Sequence, residues 1–398
     1  MEKEGKNNMI PISKTIIENK IIKDVSKIIK SGWLVQGQKV KEFEKTWSSF
    51  TKSKFSSATT SCTSGLILSL KALNIKKGDE IIVPSFTWVS TANVVEILGA
   101  KPIFCDIDLQ NFNINLDMIT KKITKKTKAI IIVHLFGVPV NMKKISYIAK
   151  RFNLKIIEDA ACGFGSYFNG KHVGTFGDFG VFSFHPRKAI TTGEGGMITT
   201  QNKTLKRKID VLKDHGAFVS DFQRHNSSKP YFLADHIDAG YNQRMTDFQA
   251  ALGLGQLLKG NKVINERKKI AKIYDKLLSK VDYLRLPLNN KFYSNGYQSY
   301  PCLINDLSSQ NYKNISKLNK LRNNLMLFLF KNGISTRPAT HAIHMLSYYK
   351  KKYKFKKNDF FYSRVANDCS ISLPIYYGIS TKDAEFVANK IIDFFKIK

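Results

Sequence analysis

The sequence predicts an α/β fold built on a mostly parallel sheet covered by helices, with a smaller α+β domain after it. Two observations predict this. Short runs rich in β-branched residues, Glu80–Val83, Ala129–Val133 and Leu154–Ile157, alternate with helical patterns. They are apolar almost throughout, as strands buried on both faces must be. From about Gly260 the character changes to a charged helix followed by mixed elements, which divides the chain into residues 1–260 and 261–398. At 398 residues there is length enough for two domains and a large core.

The elements follow in order. Ile17, Ile21, Val25 and Ile28 recur at helical spacing and stop at Ser31-Gly32. Gly32-Trp33-Leu34-Val35-Gln36-Gly37 reads as a loop, and Val40–Phe50 as a second helix. Thr59-Thr60-Ser61-Cys62-Thr63-Ser64-Gly65 opens a helix with small hydroxyl residues. Free N–H groups and the helix dipole at such a start bind phosphate, and the same residues also serve as ordinary N-caps. No Gly-Lys-Ser/Thr follows, so this is not a P-loop.

Thr87–Leu98 reads as a helix with Trp88 near its start, and Pro102–Cys105 as a strand. Ala129–Val133 leads into His134, Ile145–Phe152 is helical, and Leu154–Ile157 ends at Glu158-Asp159. Val181–Phe184 is a short strand followed by His185-Pro186-Arg187-Lys188. Thr191-Thr192-Gly193-Glu194-Gly195-Gly196 then turns the chain into Met197–Thr200, where glycine allows a tight reversal. Ligands in such sheets sit at the carboxyl ends of the strands. Trp88, His134, Asp159 and His185 all fall just after strands.

Beyond Gly260, Asn261–Val281 is a charged helix, Tyr297–Leu303 a strand, and Ile315–Asn332 a helix ended by Gly333. Ser380 and Asp383 form a capping box for a last helix whose apolar face is Ala384, Val387, Ala388, Ile391 and Phe395.

Composition removes several function classes. Apolar residues at 43% and aromatics at 12% support a packed core rather than a disordered chain. No apolar run approaches the ~20 residues that span a bilayer. Met1–Lys6 lack the apolar stretch of a secretion signal, so no membrane partner is expected and the cytoplasm is the expected location. Cys62, Cys105, Cys162, Cys302 and Cys369 are an odd number with no Cys-x-x-Cys pair, which points away from disulfides and from a zinc site. No metal is expected. His215, His225 and His236 fit no common ligand spacing, and residues 214–238 read as a polar loop over the site.

The 64 Lys and Arg against 31 Asp and Glu give a net charge of +33. Such a field attracts polyanions. The lysines are nevertheless spread over the whole chain, and clusters such as Lys350–Lys352 are short. No stacking or zinc-finger motif accompanies them, so no nucleic-acid partner is expected.

Six ordered motifs carry a resemblance: Gly32–Gly37, Pro84–Trp88, Glu158–Ala161, Phe182–Lys188, Thr191–Gly196 and Gly240–Asp247. Together they resemble the sugar-nucleotide aminotransferases of the DegT/DnrJ type, from Ile12 to the C-terminal helix. The resemblance implies a fold-type I enzyme dependent on pyridoxal phosphate, a homodimer with the active site at the subunit interface. It implies that Lys188 bonds the cofactor's aldehyde carbon and that Asp159 holds its ring nitrogen protonated, so that the ring acts as an electron sink. Trp88 would stack on the ring. Thr63, Ser64 and Ser183 would hold the phosphate, with Asn242 contributed across the dimer, and His185 would lie close to the lysine. Arg337 and His344 resemble positions near the substrate end.

The resemblance implies transfer of an amino group from glutamate to a nucleoside-diphosphate-linked keto-sugar. A 4-keto-6-deoxyhexose is the leading acceptor, and the amino sugar would serve surface polysaccharide such as O-antigen, or glycan synthesis. A 3-keto-sugar aminotransferase, a pyridoxal-dependent sugar dehydratase and a non-catalytic regulatory homologue are the alternatives. The dehydratase branch has His in place of Lys188. Position 162 is Cys where the family usually has Gln, His or Glu.

Overall fold

The computed structural model describes residues 9–219, 224, 231–288, 292–305 and 314–396. A seven-stranded sheet forms its centre. From one edge the strands are Phe55–Thr59, Gly196–Thr200, Phe179–Ser183, Lys155–Asp159, Thr127–Val133, Glu80–Pro84 and Lys101–Cys105. Six run one way, and Gly196–Thr200 runs against them.

Alternation along each strand sends side chains to two cores. Ile81, Val83, Ala129 and Ile131 pack with Leu66, Leu70, Val94 and Leu212 from helices Cys62–Ala72, Ser90–Ile97 and Lys203–Lys213. Their neighbours Ile82, Ile130 and Ile132 face Met142, Ile145 and Ile148 of helix Met142–Arg151 on the other side. Further along that second side, Trp47 of helix Gln38–Thr51 packs on Phe182 and Phe184. Burial on both faces is why these strands lack polar alternation.

The three-stranded sheet Leu284–Arg285, Tyr300–Ile304 and Ser370–Leu373 is antiparallel. It packs with helices Gly260–Leu278, Ile315–Lys331, Phe361–Cys369 and Thr381–Lys396. This core takes in Phe86, Ile107, Phe112 and Leu135 from the first part of the chain. Ile10 also crosses over and pairs with the chain around Ile334.

Several expected elements shift. Phe86–Thr87 pairs with His341–Ala342, so the helix after it begins at Ser90 and Trp88 precedes it. The strand expected from Tyr297 begins at Tyr300, because Tyr297 adopts a left-handed φ of 48°. In the last helix Phe394 is buried, and Phe395 packs at its margin. The Ser380–Asp383 capping pair forms as expected.

Of the loop over 214–238, the described parts pair back to back. Ala217 bridges His236, and Ile237 N–H donates to the Gly216 carbonyl over 2.9 Å. His225 lies outside the described residues. Among the described residues no helix is long and apolar enough to cross a membrane.

Candidate active site

The sheet brings together at its carboxyl edge most of the residues singled out above. Asp159 ends its strand with its carboxylate buried. Thr91 Oγ1 donates to Oδ2 over 2.8 Å, and Ala161 N–H to Oδ1 over 3.1 Å. Among the described residues no cation is paired with it. Burial pushes its carboxyl above the usual range, against the pull of Thr91, Ala161 and the nearby Lys188. A buried carboxylate without a cationic partner is costly. A protonated ring nitrogen supplies such a partner through a charge-assisted hydrogen bond.

The adjacent strand, Phe179–Ser183, feeds the loop that carries Lys188. Lys188 N–H donates to the His185 carbonyl over 2.8 Å, and Lys188 Nζ lies 3.3 Å from Cys162 Sγ. His185 Nδ1 accepts from Arg187 N–H over 3.2 Å, which fixes the ring beside the lysine. Burial lowers the His185 pKa, and the cations Arg187 and Lys188 add to this against the pull of Glu194.

The helix Cys62–Ala72 begins beside these groups. Ser61 Oγ caps Ser64 N–H over 3.0 Å. The Ser61 carbonyl takes Gly65 N–H, which leaves Cys62 and Thr63 leading the helix as an anion-binding start. Gly196 makes the approach possible, because a Cβ there would stand 2.5 Å from the Ser61 carbonyl carbon and 2.7 Å from Cys62 N. Ser64 Oγ bonds Thr60 Oγ1 and Ser61 Oγ. Ser183 Oγ accepts from His185 N–H over 3.4 Å. A phosphate thus finds a helix N-terminus with hydroxyls near it, and a pyridinium finds a carboxylate, so the residues fit pyridoxal phosphate.

Trp88 is 55% exposed and tilts against His341 with ring centroids 5.9 Å apart. Its open face leaves room for a second ring. Asn242 is exposed, while the next carbonyl, Gln243, accepts Thr60 N–H over 3.2 Å.

Two expected positions lie elsewhere. His134 is fully buried in a structural network. Its Nδ1 accepts from Val140 N–H, so Nε2 carries the proton and donates to Glu158 Oε2 over 2.9 Å. His344 is buried against Phe360, with Nε2 3.2 Å from the Lys357 carbonyl, and so packs rather than facing substrate. Burial lowers the Arg337 pKa, and the positive charge of Arg187 adds to this.

Sequence reasoning missed Thr91 and Gln298. Thr91 stands three residues after Trp88, a spacing that could have placed it over the same strand ends. Gln298 carries no sequence signal, and its contacts come only from folding.

Comparison with known proteins shows the family of the chain. The profile of the DegT/DnrJ/EryC1/StrS aminotransferase family matches residues 15–392. The chain is 37% identical to the uncharacterized protein MJ1066 of Methanocaldococcus jannaschii, over 97% of each chain. Helicobacter pylori PseC, an aminotransferase involved in the biosynthesis of pseudoaminic acid, superposes with a TM-score of 0.88 at 26% identity, covering 98% of this chain and 100% of that one. Spr1654 of Streptococcus pneumoniae, solved in its pyridoxal-phosphate form, gives 0.87 at 25% identity, covering 98% and 99%. The fold is that of the fold-type I aminotransferases, whose cofactor is pyridoxal 5'-phosphate. The chain belongs to the DegT/DnrJ/EryC1/StrS aminotransferase family.

Proposed function

We propose that this protein transfers the amino group of glutamate to a nucleoside-diphosphate-linked keto-sugar. A 4-keto-6-deoxyhexose is the first acceptor to test, and its product would serve surface polysaccharide or glycan synthesis in the cytoplasm. The observation that carries the reading is the buried Asp159 carboxylate, unpaired with a cation among the described residues, on the strand beside the Lys188 loop. The kinship with PseC supports a sugar acceptor.

In this reading Lys188 Nζ bonds the cofactor. Asp159 holds the ring nitrogen protonated, Trp88 covers the ring, and Thr63, Ser64 and Ser183 meet the phosphate. Pyridoxal phosphate supplies an electron sink for the charge that develops at the carbon bearing nitrogen. Once free, Lys188 Nζ would take the proton from the glutamate carbon that bears nitrogen and, in the second half of the exchange, would place a proton on the sugar carbon that gains the nitrogen. His185 orients the lysine loop. Arg337 and Arg187 offer positive charge to the anionic substrate.

The active unit is a homodimer with Asn242 reaching the neighbouring phosphate. Exposed Tyr231, Leu233, Ile237 and Tyr241 on the same stretch support a partner surface there. In this reading the chain divides into a large domain of residues 1–260 and a small domain of residues 261–398.

The test is to incubate the protein with pyridoxal phosphate, glutamate and a panel of keto-sugar nucleotides, identifying products by mass and NMR. An amine at ring carbon 4 supports the proposal. An amine at carbon 3 redirects the substrate, loss of a hydroxyl indicates the dehydratase, and no turnover of any acceptor contradicts the reading.

A further inference from the structure

Lys188 sits in a loop, His185 to Gly195, whose backbone groups need partners that a helix or strand would have supplied internally. Glutamine amides from outside the loop supply several. Gln256 Oε1 accepts from Thr191 N–H over 3.1 Å, and its Nε2 donates to the Thr191 carbonyl over 2.6 Å. Gln249 Nε2 donates to the Glu194 carbonyl over 2.9 Å.

Gln298 is placed differently. Its Oε1 accepts from Ala189 N–H over 3.0 Å, and its Nε2 donates to the Arg187 carbonyl over 2.7 Å. One belongs to the peptide group before Lys188 and the other to the peptide group after it. A single planar amide therefore grips both peptides of Lys188 and fixes the direction in which its Cα–Cβ bond leaves the loop.

Gln298 is held in turn. Arg267 is buried, and its Nη1 donates to the carbonyls of Tyr297 over 2.9 Å and of Gln298 over 3.2 Å. Burial lowers the Arg267 pKa to about 10, so the guanidinium stays charged near neutrality. Tyr297 sits at φ 48°, with its N–H donated to Asn295 Oδ1 over 2.7 Å. A bulky residue held at positive φ marks a backbone the surroundings over-determine. Here that bend turns residue 298 out of the following strand, Tyr300–Ile304, and toward the lysine loop.

We propose that Gln298 is a positioning residue for catalysis, its amide clamping the two peptide groups of Lys188 so that Nζ is aimed at the reacting carbon. The proposal rests on the reading of Lys188 as the cofactor lysine. Proton transfer and attachment both depend on Nζ placement, and a misplacement of about 1 Å costs on the order of 100-fold. The clamp also ties the lysine to the segment entering the small antiparallel sheet.

The test uses the full-length holoenzyme with Gln298→Leu, which removes donor and acceptor, and Gln298→Glu, which keeps only the acceptor for Ala189. Four things are read: kcat, KM for both substrates, the pH midpoint of the bound cofactor's visible absorbance, and the rate at which added pyridoxal phosphate attaches to the apoenzyme. Borohydride reduction and peptide mass locate the cofactor. The expected result for Gln298→Leu is kcat lower by about 10- to 100-fold, slower attachment and a displaced pH midpoint, with KM little changed and the cofactor still on Lys188. Gln298→Glu is expected to fall between parent and Gln298→Leu, and it decides the matter if Gln298→Leu does not fold. Unchanged kcat, attachment rate and midpoint, with the cofactor on Lys188, overturn the positioning role alone. A cofactor on another lysine in the parent overturns the reading of Lys188 and this proposal with it.

Discussion

Cys162 Sγ lies 3.3 Å from Lys188 Nζ, three residues beyond the buried Asp159. Cys162 is the half-buried thiol of the set, while Cys62, Cys105, Cys302 and Cys369 are buried. Burial pushes the Cys105 and Cys369 thiols up to about 12, so they are poor nucleophiles at neutral pH. Iodoacetamide should therefore modify Cys162 first, and saturating pyridoxal phosphate should slow that reaction. Peptide mass mapping with and without cofactor checks this. Labelling of the buried thiols ahead of Cys162 would contradict the geometry.

Asp159 is the next point of attack. Its carboxyl is raised by burial, so the folded apoprotein holds this proton more tightly than the unfolded chain. That stabilisation is present below the ordinary value of 3.8 and is lost as pH rises through the folded value. At neutral pH, above the ordinary value, burial of this carboxyl thus opposes folding until a cation meets it. Asp159→Asn should make the apoprotein more heat-stable at pH 7, while removing most of the stabilisation that pyridoxal phosphate confers. Turnover should fall by at least about 100-fold. Thermal melts with and without cofactor, beside kinetics, measure all three.

Glu158 behaves with the opposite sign. Burial alone would raise its carboxyl, but His134 Nε2–H and the N–H groups of Gly174 and Gly177 outweigh burial and leave it lowered. Its contribution is complete above the ordinary value of 4.5 and is lost as pH falls through the folded value. Glu158→Ala, which orphans His134 and these N–H groups, should cost roughly 3–5 kcal/mol. It should also flatten the acid limb of the stability profile, as urea titrations from pH 3 to 7 would record.

Gly196→Ala tests the helix start. The added methyl must push back the Ser61–Cys62 backbone, since the contacts of 2.5 and 2.7 Å cannot stand. Overpacking of this kind costs about 1–3 kcal/mol. The affinity for pyridoxal phosphate should fall more than the affinity for pyridoxal, because the phosphate is the group expected at that helix end. Equal losses for both would argue against a phosphate there.

The parallel strands were legible because burial on two faces leaves an unbroken apolar run, as in Ala129–Val133. The edge strand Phe55–Thr59 was not, because Phe-Ser-Ser-Ala-Thr has no such run and owes its conformation to pairing with Gly196–Thr200. Thr87 read as helical since its partner, His341, is distant in sequence. At the site, Asp159 and Lys188 stood out by their places after strands and in ordered motifs. The hydroxyl of Thr91 on Asp159 and the amide of Gln298 around Lys188 did not, because neither has local periodicity or spacing to announce it. His134 shared the position after a strand but turned inward, where Glu158 and Val140 take both ring nitrogens.

The most direct measurement of the central claim is to reduce the loaded protein with borohydride, digest it and locate the cofactor by peptide mass, in the parent and in Lys188→Ala. The account predicts the pyridoxyl mass on the peptide containing Lys188 in the parent, and neither that adduct nor amino transfer in Lys188→Ala. An adduct on a different lysine, or a Lys188→Ala protein that transaminates as fast as the parent, would contradict it.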